Sequence, residues 1–370
     1  MPRLSLLLLA PFALFSPVQA TAADAAHHVT VKPRLSLQMN YQAADALLDS
    51  LAKRKINDDQ IAGLLQIKSV RTMVDNTTKY VPSHTHALFA DAMKEYVRTR
   101  KSTIGPAFRL GESADQAPQI RSLITRLKND RRLRLEITRP LVRYLPPIPP
   151  VTATVYGVVG GASDGFVVDN DPEPAFYMAL NRAEGDAAGV KLNMTHELYH
   201  VVQRIARNRV PGLSARIFDA ATAPAPVRLM TLVYEEGSAT YVARPMLGTA
   251  RGPYIDMWRE AYAKNMPRKR IVANFAQFDR VLKDLKTGRM TWDQASNELF
   301  TGTGAPLYFV GYEVTKALDA RDGPGRVGAF AQQHPAAFFR RYIELYRKCP
   351  ACVPARFSRA TEAYIYSLTS

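Results

Sequence analysis

Leu192-Asn-Met-Thr-His196-Glu197-Leu198-Tyr199-His200-Val-Val-Gln203 is the stretch on which the fold turns. No proline interrupts it before Pro211, and Leu198, Val201, Val202 and Ile205 give it one apolar side, so it predicts an amphipathic helix with Asn193 or Thr195 near its start. A spacing of four on a helix sets His196 and His200 on one face, one turn apart, where both imidazoles reach a single zinc ion (Zn2+). Glu197 then lies beside the water that such an ion binds.

Catalytic zinc usually takes three protein ligands and leaves one position for water. A third histidine ten residues after the first, as in metzincins, requires glycine at 203 and histidine at 206. The sequence has Gln203 and Ala206, which excludes that arrangement. The other source is a glutamate on a following helix. Tyr234-Glu235-Glu236-Gly237-Ser238-Ala239 offers two, among the apolar Leu232, Val233, Tyr241 and Val242.

His196-Glu197-x-x-His200 followed by Glu236-Gly237-x-Ala239 resembles the gluzincin branch of the zincin metallopeptidases, whose second helix often carries Glu-Gly-x-Ala. The resemblance implies that Glu236 is the third ligand with His196 and His200, and that Glu197 is the general base. Glu235, about 100° further round the helix, would then support the ligands or lie at the surface. Tyr308-Phe-Val-Gly311-Tyr312 resembles the Tyr-x-x-Gly segment that gives some gluzincins a tyrosine for the transition state. That implies Tyr308, with Tyr312 in reserve, as donor to the developing oxyanion. An edge strand beside the cleft is implied too, and Thr152 to Val159 or Gly165 to Val168 would serve. The likeness runs from about residue 150 to 345 and is to poorly characterised bacterial exported zinc peptidase domains, with a peptide or protein as substrate.

Further out, Pro140, Pro146, Pro147, Pro149 and Pro150 predict an extended boundary segment. Val151 to Val159 is rich in β-branched residues, Gly160-Gly161 punctuates, and Gly165 to Val168 resumes the pattern, which reads as a hairpin or pair of strands. Asp169-Asn170-Asp171-Pro172 breaks it, and helical patterns run from Leu192 to the end. Tyr41 to Leu145 reads as helical throughout. His84 and His86 lie there with no cysteine or carboxylate cluster to complete a metal site, and read as surface or capping residues. The expected class is α+β, mostly helical. A helical amino-terminal region, 21–145, precedes a zincin-like catalytic domain, 146–370, with a small sheet and active-site helices.

Arg3, the apolar run Leu4 to Phe15 and Val18-Gln19-Ala20 predict a signal peptide over 1–20 and an exported protein, periplasmic or secreted. That run is shorter than the roughly 20 residues a membrane span needs. Cys349 and Cys352, in Cys-Pro-Ala-Cys, predict a local disulfide and cannot make a structural zinc site alone. The net charge of +16 suits an anionic partner, yet it is spread along the chain. Arg131-Arg132-Leu133-Arg134 and Arg268-Lys269-Arg270 read as solvated helix faces. Without aromatic-interleaved basic motifs or zinc-finger spacing, no nucleic-acid partner is expected. Peripheral association with an anionic envelope surface is compatible with the charge. A non-catalytic, basic envelope-binding protein with a degenerate or structural zinc motif is the rival reading. No phosphate loop is seen, so amide hydrolysis is expected rather than phosphoryl transfer.

Overall fold

A computed structural model describes residues 34–168, 171–219, 221–300 and 305–369. The signal peptide expected over 1–20 lies outside them. Strand β1 (Leu35–Asn40) opens the described chain, with Leu35 and Leu37 turned to the core in the two-residue period of a half-buried strand. Seven helices follow: α1 (Gln42–Ala52), α2 (Asp58–Gln66), α3 (Lys68–Tyr80), α4 (His86–Thr99), α5 (Leu110–Asp115), α6 (Ala117–Asn129) and α7 (Leu133–Arg143). The strands β2 (Val151–Val158), β3 (Gly165–Phe166) and β4 (Ala175–Ala179) come next. The rest is helical: α8 (Ala187–Asn208), α9 (Leu213–Phe218), α10 (Ala225–Ala243), α11 (Pro253–Asn265), α12 (Arg268–Lys286), α13 (Trp292–Phe300), α14 (Pro306–Asp322), α15 (Pro324–Ala329), α16 (Pro335–Lys348) and α17 (Arg359–Ser367). The class is therefore α+β and mostly helical, as the patterns predict.

The sheet has the order β1-β2-β4-β3, with β1, β2 and β4 parallel and β3 antiparallel to β4. This corrects three expectations. The segments around 155 and 166 do not form a hairpin, because β4 lies between them. Gly160 and Gly161, both at positive φ, turn the chain out of β2, and their N–H groups bond to Asn181 Oδ1 and the Phe108 carbonyl. Thr152 to Val159 is not an edge either, since β1 and β4 occupy both sides of β2; the edge on that side is β3. Nor is the amino-terminal stretch wholly helical. Its strand β1 pairs with β2 from Leu35↔Val151 to Asn40↔Tyr156, so the two halves of the chain share one sheet and one core.

Two helix ends also differ. Asp186, not Asn193 or Thr195, caps α8 by accepting from the N–H groups of Ala188 and Gly189. Thr195 lies inside and its hydroxyl donates to the Lys191 carbonyl. Pro140 sits within α7 rather than in the extended run, and is buried with Ile137 and Leu141; that packing outweighs the lost backbone bond. His84 is buried rather than at the surface, its Nε2 accepting from the Ala107 N–H and its ring set edgewise on Phe108. His86 begins α4 and bonds Asp75 at 2.6 Å. Cys349 and Cys352 are disulfide-bonded at the end of α16.

Candidate metal centre

Helix α8 carries His196, Glu197 and His200, α10 carries Glu235 and Glu236, and α14 carries Tyr308. The crossing of α10 and α14 fixes their relation. A Cβ on Gly237 would fall 2.3 Å from the Gly311 backbone, and one on Gly311 would fall 1.8 Å from the Val233 carbonyl oxygen. Only two glycines let these backbones touch, and the contact places Glu236 and Tyr308 in one cleft. The Asp186 carboxylate that caps α8 also accepts from the Ile255 N–H at 2.8 Å. It thereby ties the start of α11 to α8, and Trp258 of α11 comes to 5.8 Å from the His196 ring, centroid to centroid.

Three donor atoms converge. Nε2 of His196 lies 3.1 Å from Nε2 of His200 and 3.1 Å from Oε2 of Glu236, and Nε2 of His200 lies 3.3 Å from that same oxygen. Ligand atoms about 2.0–2.1 Å from one tetrahedral ion stand about 3.3 Å apart, so the spacing fits a shared metal. Among the described residues this is the one group of three or more such side chains so placed. Burial opposes the charge of Glu236, but His200 and His196 outweigh it and hold the carboxyl well below the usual range. Burial likewise opposes a charged His200, yet Glu236 pulls its imidazole up to about 10. A field that favours positive charge at the crossing of three lone pairs suits a cation. Glu197 lies between the two histidines, partly buried, and burial pushes its carboxyl upward against the pull of His200 and His196.

The support behind His200 is not evident from the sequence. Its Nδ1 lies 2.8 Å from Oε1 of Gln203, whose Nε2 donates to Ser238 Oγ at 2.8 Å. The Ser238 hydroxyl is committed to the Tyr234 carbonyl at 2.7 Å, so it can only accept from Gln203. The amide thus turns its oxygen to His200 and accepts the Nδ1 proton, which leaves Nε2, beside Glu236, as the nitrogen a metal would take in place of a proton. In the sequence alone, position 203 has meaning only as the place where a metzincin has glycine. Its spacing of three from His200, on the same helix face, was the available signal. Glu235 is largely buried and paired with Arg207, whose guanidinium lies 4.4 Å from the Phe218 ring.

Tyr308 joins the group. Its ring is 6.3 Å from that of His196 and within 14° of parallel to it. Burial first, then Glu236 and Glu197, push its hydroxyl well above the usual range. Tyr312 is not brought to the site. It is fully buried in a separate cluster with Tyr262 and Phe309, and its hydroxyl has no partner among the described residues.

The profile of a family described as "Putative zinc dependent peptidase (DUF5700)" matches residues 61–351. The chain belongs to this family. Family membership supports a zinc-dependent peptidase role in general, and the His196-His200-Glu236 cluster could hold the metal. The family span begins inside α2, well ahead of the segment in which the gluzincin likeness is carried, so most of the amino-terminal helices belong to the family's shared sequence. No curated protein and no solved structure matches the chain.

Proposed function

We propose that this zinc peptidase is exported and hydrolyses peptide bonds, with the metal held by His196, His200 and Glu236 and with Glu197 as general base. The observation that carries the reading is the convergence of three donor atoms at 3.1–3.3 Å with a partly buried carboxylate beside them. Zinc, when bound, polarises a carbonyl and brings the pKa of water to about 7. Glu197 accepts the proton of the water that attacks the carbonyl carbon. As the C–N bond breaks, it returns that proton to the departing nitrogen. Tyr308 donates a hydrogen bond to the carbonyl oxygen as charge builds there. β3 lies at an edge of the sheet, where an extended peptide can pair by adding a strand.

Elemental analysis of the purified protein beside His196→Ala and Glu236→Ala variants tests the ligand set, and a Glu197→Gln protein tests the base. We expect one zinc per chain, lost in both ligand variants. Glu197→Gln keeps the metal and loses peptidase activity. Full proteolysis by Glu197→Gln, or a well-folded protein that takes up no zinc from excess metal, would sink the proposal. An amino-terminal sequence beginning near Thr21 in protein recovered from outside the cytoplasm is the expected sign of export.

A further inference from the structure

Helix α7 packs Leu133, Ile137, Pro140 and Leu141 inward and turns a very different face to solvent. At 100° per residue, Leu135 and Val142 fall within about 20° of each other on the crest of that face. Arg134 lies on one flank, and Arg139 and Arg143 on the other. Leu135 is 65% exposed and Val142 39%, two of the five large apolar side chains so exposed among the described residues. Two apolar side chains standing free on one short helix call for an explanation.

Four of the arginines around them are uncompensated. Among the described residues none of Arg131, Arg134, Arg139 and Arg143 has an ion pair. The nearby carboxylates of Asp130 and Glu136 are both bound to Lys191, at 2.6 Å each. A groove runs along each side of the helix. One, of about 620 Å³, is edged by Lys128, Arg131 and Arg134. The other, of about 760 Å³, sets Arg126, Arg139 and Arg143 around an apolar floor that includes Leu127, Pro140 and Met246.

We propose that α7 docks the protein on an anionic lipid bilayer, with Leu135 and Val142 entering the headgroup region and the flanking arginines pairing with lipid phosphates. The arginines alone would suit any polyanion. An apolar crest between them gains nothing from a dissolved polyanion and is stabilised where water ends. Arginine stems lie along apolar surface while their heads reach charge, so both flanks can grip the same plane. Eleven residues are too few to cross a bilayer, so the helix lies along its surface. No residue of α7 belongs to the metal centre, and the docking stands whether or not that centre is catalytic.

The test is sedimentation of the full chain with vesicles of phosphatidylcholine mixed with phosphatidylglycerol, or of phosphatidylcholine alone, at low salt. Binding is expected to the mixed vesicles and at least tenfold less to the neutral ones. Each basic residue at an anionic surface contributes roughly fivefold in partitioning, so Arg134→Gln/Arg139→Gln/Arg143→Gln should weaken binding by at least tenfold. Leu135→Ser/Val142→Ser should weaken vesicle binding and leave retention on heparin unchanged. All these side chains are exposed, so melting temperature and zinc content should match the parent protein. Equal binding to both vesicle types, or vesicle binding indifferent to the arginine variant, would overturn the proposal. So would a crest variant that binds vesicles as well as the parent, which would make the face a polyanion site.

Discussion

One nitrogen of His200 must be bare for a metal and the other protonated, and Gln203 decides which. Gln203→Leu keeps much of the volume but removes the acceptor of the Nδ1 proton, so zinc affinity should fall about 10–100-fold, read by competition with a chelator. Gln203→Glu keeps an acceptor and should hold zinc better than the leucine variant. Glu197→Gln should leave zinc content unchanged while kcat falls about 10²–10⁴-fold, which separates a proton carrier from a ligand. His196, Glu197 and His200 were legible because their chemistry is written in a fixed spacing on one helix. Gln203 stands on the same helix and went unread, because an amide has no chemistry of its own until its partners orient it. Those partners, Ser238 and Tyr234, lie on another helix. Tyr308 stands ahead of Tyr312 in the sequence only through the family likeness; the turn of α14 is what sends one to the cleft and the other into a core.

Helices meet here through glycine. Gly237 and Gly311 lie far apart in sequence, each beside a candidate site residue, and nothing in the sequence says that they touch. Gly237→Ala should therefore destabilise the protein by about 1–3 kcal/mol, the usual cost of forcing atoms into a filled contact. The same change should lower zinc content, because Glu236 moves with its helix. Gly63→Ala is the matched control. That glycine stands inside α2 with nothing within 4 Å of a built Cβ. There the substitution should stabilise by about 0.5–1 kcal/mol, since alanine loses less freedom in a helix. Denaturant midpoints of the two variants should move in opposite directions, and a shift of the same sign would refute the contact argument. Among the strands, β2 was legible from its β-branched run. β4 was not, because Ala-Phe-Tyr-Met-Ala is buried at all five positions and shows no alternation. β1 carries a period of two in Leu35, Leu37 and Met39, but six residues are too few to set it apart from the helical patterns that follow.

Across the whole molecule, ion pairs fasten one helix to another, and one of them makes an acid-sensitivity prediction. Asp322 at the end of α14 receives two bonds from the Arg341 guanidinium on α16, at 2.6 and 2.7 Å. Those bonds hold the Asp322 carboxyl below its usual range. A folded pKa below the unfolded value of about 3.9 means stability that is present above that pH and is lost as pH falls through the depressed value. Asp322→Asn should cost about 1–3 kcal/mol at neutral pH, and the gap from the parent protein should close on acidification below about pH 4. Urea titrations at both pH values check it; a gap that persists in acid would mean the loss is not one of charge. The overall class was readable because helical periodicity dominates. The unity of the chain was not, for it depends on β1 pairing with β2 across more than a hundred residues. That pairing has a consequence in time. A ribosome releases β1 first and its hydrogen-bonding partner only after seven helices have emerged, so the backbone of β1 stays unpaired on that side through nearly a third of the chain. Until Val151 has emerged the sheet cannot close, so a chain stopped short of β2 leaves β1 without the strand that shares its register.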